Sequence, residues 1–255
     1  MCCFTPVYRG QQLVPIHVSQ TRIFARMAAP SVQALAYELK VDTAEPVAMI
    51  LPLPTSPAAG EGALLFVDLL DYPFLFSDLE LCFQPPAPAA GPAFGAPQAG
   101  GMEPTLVMHR VGAFHASFAP SRKDLDRLDP RFRMPAGVWD SVGGYDDYGF
   151  AVFQLAAGDQ RVHPMGFTFR TREPDSLFFP TVHVHDGTFH AEAEFDHVLY
   201  AQGAARDGRD TAAVFDARTF VAVDDAGGLV DGTLPLSRRT IRGTRPNRDT
   251  RLRVA

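Results

Sequence analysis

Apolar residues recur at every second position through most of this 255-residue chain, and that period commits it to β-strands. Successive side chains of a strand point to opposite faces, so alternation marks a sheet with one face buried. Leu35, Tyr37, Leu39 and Val41 alternate with Ala34, Ala36, Glu38 and Lys40. The same pattern predicts strands over Ile16–Met27, Leu106–Phe118, Tyr148–Leu155, Val162–Arg170, Leu177–His185, Thr188–His197, Thr219–Val223 and Leu234–Ile241. Val47–Leu53 is apolar almost throughout, with Pro52 near its end, and suits a strand covered on both faces. Helical signals are few. Ser121 and Asp124 have the spacing of a capping box before a short helix carrying Leu125 and Leu128. Two more short helices are expected near Ser77–Phe83 and Val138–Val142. The expected fold class is therefore mainly β, an antiparallel β-sandwich or partly closed barrel with a few short helices.

Length and composition limit the rest. A chain of 255 residues with 46% hydrophobic and 20% charged content can bury an ample core. A single β-rich domain over residues 1–255 is expected, interrupted by a connector at Gln84–Pro104. That segment holds six Pro, six Ala and four Gly in 21 residues, too little apolar surface to fold alone. The only lysines are Lys40 and Lys123, against 21 arginines. This bias fits a GC-rich genome, and a bacterial source is expected. No stretch is long and apolar enough to span a bilayer, and the first residues lack the basic and apolar regions of a secretory signal. A cytoplasmic protein follows as the expectation, with reduced thiols at Cys2, Cys3 and Cys82.

The formal charge of −6 argues against a nucleic-acid partner. One segment departs from it. Ser237–Val254 carries seven Arg and one Asp, a charge of +6 that leaves −12 on the remainder. Such a run could hold an acidic partner or phosphates. The simpler expectation is a terminal β-hairpin whose outward arginines pair with the acidic body.

Most of the chemistry-bearing residues gather in Thr181–Glu192. Asp186-Gly187 has the composition of a two-residue type I′ turn between alternating strands. Centring a hairpin there sets His183 opposite His190 and Thr181 opposite Glu192. One face then carries His183, His185, His190 and Glu192, while Val182, Val184, Phe189, Ala191 and Phe195 form the other. Opposed Cβ atoms in antiparallel strands lie roughly 4.5–5.5 Å apart, close enough for the three imidazoles to share one ion. Three nitrogens and a carboxylate suit a divalent transition metal such as Fe, Mn, Ni, Cu or Zn. The opposing expectation is a solvated face whose spacing alternation alone explains. His163 shares parity with Met165 and Phe167, so a neutral imidazole bonded to a backbone carbonyl is expected there. His197 has the opposite parity from Asp196 and Glu194 and is expected to leave the candidate face.

The run His183-x-His185 resembles the metal motif of the cupins, in which an HxH strand is followed by a glutamate and later by a distal histidine. The likeness covers about a dozen residues. His190 stands where the glutamate is expected, Glu192 falls late, and no second glycine-bounded motif follows. What the resemblance implies is a β-rich fold holding a metal.

A second chemistry starts at the amino terminus. Removal of Met1 would expose the α-amine of Cys2, which could act as base toward its own thiol, as in the N-terminal nucleophile hydrolases. Class II glutamine amidotransferases begin Cys-Gly, whereas this chain begins Cys-Cys and carries less helix than their fold needs. Three functions therefore enter the structure. The first is a metal-binding protein or metal-dependent enzyme acting on a small molecule or peptide, with Glu192 as ligand or base. The second is a non-catalytic β-domain that binds a protein or peptide partner through an edge or a Phe-rich surface. The third is a Cys2 hydrolase. No membrane partner is expected.

Overall fold

Period-two alternation builds two main sheets and an interior on both faces of the larger one. The computed structural model describes residues 3–85, 109–111 and 114–255. In chain order the strands are β1 (Cys3–Phe4), β2 (Tyr8–Arg9), β3 (Gln12–Leu13), β4 (Ile16–Ala29), β5 (Val32–Thr43), β6 (Val47–Leu53), β7 (Leu64–Val67) and β8 (His109–Val111). They continue with β9 (Phe114–Ala119), β10 (Gly149–Leu155), β11 (Gly158–Arg170), β12 (Ser176–Phe179), β13 (Glu192–Gln202), β14 (Asp210–Ala212), β15 (Leu236–Pro246) and β16 (Thr250–Arg253). Two short α-helices accompany them, α1 (Leu75–Leu81) and α2 (Val138–Val142). The molecule is mainly β.

The larger sheet runs β14-β15-β13-β4-β5-β11-β7 and the smaller β1-β6-β10-β9-β8. All neighbours are antiparallel except β13 and β4. Ile23, Ala25, Leu35, Tyr37 and Leu39 face the smaller sheet, which presents Met49 and Phe153 to the main core. Their neighbours Phe24, Ala34, Ala36 and Tyr200 face away into a second core. There they are covered by Leu75, Phe76 and Leu79 of α1 and by Val221, Ala226 and Leu229. Truncating a fully buried phenylalanine such as Phe24 or Phe153 to alanine would cost about 3–5 kcal/mol. Gly166 on β11 shows how closely the second layer approaches. A Cβ there would lie 2.7 Å from the Leu229 side chain and 2.9 Å from that of Leu69.

Several sequence expectations meet the structure directly. Residues 47–53 are buried throughout. Pro52 removes no β1 bond, because β1 pairs with β6 only at Met49 and Ile50. The helix expected near Ser121 is a 3₁₀ turn over Arg122–Arg127, with Ser121 Oγ donating to Asp124 at 2.7 Å. Three expectations are corrected. Thr219–Val223 forms no strand; it lies in turns that bury Val221 over the second core. Ser237–Val254 forms no hairpin, because β15 pairs with β13 and β14 while β16 pairs with β12. The third concerns the histidine segment, described below. Of the connector at Gln84–Pro104, residues 86–104 lie outside the described residues, and so does Cys2. No described helix is long and apolar enough to cross a membrane.

Candidate functional site

The histidine segment does not fold into the expected hairpin. Its first strand, β12, stops at Phe179 before Pro180, and the second, β13, starts only at Glu192. The reason is a competing set of partners. The amides of Thr181 and Val182 donate to Asp249 Oδ1 at 2.9 and 3.1 Å, and the Thr181 hydroxyl donates to the Arg248 carbonyl at 3.0 Å. The His183 amide donates to Asn247 Oδ1 at 2.7 Å. Asn247 Nδ2 returns bonds of 2.8 Å each to the carbonyls of His183 and His190. Asn247 and Asp249 thus take the backbone groups that a hairpin ladder would have used. On the other side, the Phe4 amide donates to the Val184 carbonyl at 2.8 Å.

Asp186 and Gly187 do make a turn. Asp186 Oδ1 accepts the Thr188 amide at 2.9 Å, and Gly187 has a φ of +77°. The chain beyond it returns as a loop, and the four proposed ligands part company. His183 is 6% exposed and points inward. His190 is exposed, with Nε2 3.0 Å from Asp186 Oδ2. Glu192 is exposed at the end of β13, opposite Pro246. His185 lies between these extremes, its ring edge-on to Phe4 at 5.6 Å.

A histidine cluster does form, from different members. The ring of His183 stacks on His185 at 5.6 Å and 13° and on His197 at 5.2 Å and 18°. Phe195 packs against His183 at 4.2 Å. The alternation of β13 that separates His197 from Glu194 is what delivers it, beside Phe195, to this stack. Imidazole nitrogens lie in the ring plane, so near-parallel rings aim them side by side. A metal instead needs lone pairs converging about 2.0–2.2 Å from one ion. Among the described residues no group of three or more His, Cys, Asp or Glu converges in that way. Among the described residues, His183, His185, His190 and Glu192 do not take the shared-ion arrangement drawn for them.

The stack is also electrostatically quiet. Nε2 of His183 and of His185 and both ring nitrogens of His197 are buried with no hydrogen-bond partner among the described residues. Burial lowers the pKa of His183 to about 2 and of His185 to about 4. Both are neutral near pH 7. His163 does meet a backbone carbonyl, its Nδ1 3.1 Å from that of Pro164 and its ring stacked on Phe114 at 4.0 Å, although a bulge between Val162 and Met165 breaks the parity with Met165 on which that expectation rested.

The C-terminal basic run presents a different surface. Three of its arginines are engaged. Arg238 pairs with Glu80, Arg239 with Asp210 at 2.7 Å and Asp207 at 2.9 Å, and Arg251 with Glu173 at 2.7 Å. Arg242, Arg245 and Arg248 are exposed and form no ion pair among the described residues. They line a cavity of about 610 Å³ together with Phe195, Ile241 and Pro246. The cavity runs along β15, whose outer side is paired with β14 only at Ser237, Arg238 and Arg239. From Thr240 to Pro246 that side has no strand neighbour among the described residues. The composition of the Ser237–Val254 run marked this region; what the sequence did not show is which arginines stay free, or that a strand edge lies beside them.

No protein-family model matches the sequence, and no curated protein matches it. In fold the chain is similar to baculovirus P35, with a TM-score of 0.50 at 12% identity over 94% of this chain and 97% of that one. A mutated P35 after caspase cleavage gives 0.48 at 12% identity, covering 92% and 99%. P35 in complex with caspase-8 gives 0.47 at 10% identity, covering 92% and 96%. These viral neighbours lend no support to the bacterial source expected from composition. At such identities the likeness is one of fold.

Proposed function

We propose that this chain is a non-catalytic β-domain that works by holding a protein or peptide partner. The observation that carries this reading is the edge of β15 between Thr240 and Pro246, open among the described residues and set beside a cavity of about 610 Å³. An edge strand presents unpaired N–H and C=O groups that an extended segment can complete, with side-chain recognition supplied by the adjoining pocket. The alternative of a metal-dependent enzyme has lost its shared ligand set. P35 forms a complex with caspase-8. That interaction belongs to P35, and for this chain the reading rests on its own edge.

The test is a selection of displayed random peptides on the intact chain, followed by hydrogen exchange of the complexes. Selected peptides should protect amides between Thr240 and Arg245 and leave those of the buried strand β6 unchanged. Selection of nothing, or of peptides that protect only other regions, would contradict binding at this edge.

A further inference from the structure

Resting on the protein-binding reading, we infer that the segment completing β15 is acidic, with carboxylate side chains that engage Arg242, Arg245 and Arg248. The first support is an imbalance. The chain outside Ser237–Val254 carries a formal charge of −12, so carboxylates are plentiful. They are used selectively: Glu80, Asp207, Asp210 and Glu173 neutralise Arg238, Arg239 and Arg251. Three arginines lining the same cavity have no such partner among the described residues. Like charges gathered in one concavity repel, and they reinforce each other's attraction for an anion.

The second support comes from a contrast. A cavity of about 830 Å³ near Trp139 also contains an arginine, Arg122, but Asp140 at 2.5 Å and Asp146 at 3.0 Å already satisfy it. The same cavity holds Lys123 and Arg133, which form no ion pair among the described residues, so what sets the β15 cavity apart is three such arginines beside a strand side with no neighbour among those residues.

The third is the occupant that such an edge refuses. A second copy offering the same edge would set Arg242 and Arg245 against their own equivalents, and like charges across a ladder are unfavourable. An acidic strand meets the reverse situation. Its backbone completes the ladder while its carboxylates reach guanidinium groups, which favour planar, paired contacts with carboxylates. Phe195, Ile241 and Pro246 give the pocket an apolar part against which aliphatic side chains of the same segment can pack. The −12 on the rest of the molecule disfavours an extended polyanion such as a nucleic acid, which would run past the basic strip onto acidic surface.

The experiment uses the full chain and three fluorescent probes: a short peptide alternating Val and Glu, its Val and Gln counterpart, and a single-stranded oligonucleotide of matched charge. Affinity is read by polarisation, location by hydrogen exchange, and the folded state of each variant by circular dichroism. The acidic peptide should bind at least about tenfold more tightly than the neutral one, protect Thr240–Arg245 and weaken as salt is raised. Arg242→Gln/Arg245→Gln should remove that preference, while Arg131→Gln, at an exposed site elsewhere, should leave it intact. Equal binding of the neutral peptide with β15 protected would overturn the acidic partner and leave the protein-binding reading standing. Tighter binding of the oligonucleotide would replace the partner by a nucleic acid. If no peptide protects β15, the reading falls and the inference falls with it.

Discussion

Two regions flank the segment Asn247–Asp249 between β15 and β16, and they handle polar groups in opposite ways. On the inner side, His183, His185 and His197 bring buried imidazoles together with ring nitrogens unpartnered among the described residues. On the outer side, Arg242, Arg245 and Arg248 carry full charges that remain exposed and unpaired among the same residues. Both look unsatisfied, but only one is available. An unpartnered nitrogen in the interior destabilises the fold without offering itself to anything outside. A guanidinium at a strand edge is hydrated while it waits, so its pairing is free to be supplied by another molecule. Accessibility, not chemical richness, separates the two.

Asp249 joins the regions, and its removal should have the largest effect. It accepts the amides of Thr181 and Val182 and the Tyr145 hydroxyl, the last at 2.5 Å. Asp249→Ala leaves these donors without their acceptor, and a loss of about 3–5 kcal/mol in urea denaturation is expected. A change below about 1 kcal/mol would mean that the histidine loop is not anchored from the C-terminal side.

Acid should distinguish the regions next. His183 and His185 have folded pKa values below the ordinary value near 6.5, so the unfolded chain takes up protons that the folded one refuses. Stability contributed by the neutral rings is present above about pH 6.5 and lost as pH falls below it, by up to about 1.4 kcal/mol per pH unit for each. Asp249 acts in the other direction. Burial raises its pKa to about 6, so its contribution is present below about pH 4 and lost as pH rises toward 6. Between pH 4 and 6 the aspartate offsets one histidine. Denaturation across this range should show stability rising with pH, and Asp249→Asn should steepen the rise. A flat profile in the wild type would break this description of the inner region.

His183→Phe sharpens the same point with a smaller effect. Phenylalanine keeps a ring in the stack, removes an unpartnered nitrogen and leaves the backbone bonds to Asn247 in place. Stability near pH 7 should rise by about 1–3 kcal/mol, and the acid slope should become shallower. Strong destabilisation instead would show that the imidazole has a polar role in the interior. The smallest effect belongs to the outer region. Arg242→Gln/Arg245→Gln should change stability by no more than about 0.5 kcal/mol, because neither side chain forms an ion pair within the described residues.

The sequence carried the strands better than their ends. Alternation over residues 34–41 marks β5, and the apolar run from Val47 marks β6, because those positions meet neighbours of matching polarity on the sheet. At Thr181–His190 the same alternation is present and no ladder forms. The decisive partners, Asn247 and Asp249, are about sixty residues away. A turn dipeptide reports local geometry, and Asp186-Gly187 does turn; it cannot report that distant side chains have captured the flanking amides. Alternation places His197 on a different face from Glu194, yet its position beside His183 depends on the hairpin being absent. The basic run was visible as composition, and its one acidic residue, Asp249, is the structural anchor. Which arginines would be neutralised was not visible, since Glu80, Glu173, Asp207 and Asp210 reach them only through tertiary structure.

The most direct measurement is hydrogen exchange of the full chain, free and with the alternating Val and Glu peptide. In the free protein, outward-facing amides of β15 from Thr240 to Arg245 should exchange quickly while β5 and β6 stay protected, and the peptide should slow exchange along that stretch of β15. Protection of those amides before any peptide is added, or no change after it, would contradict an open edge that takes an acidic partner.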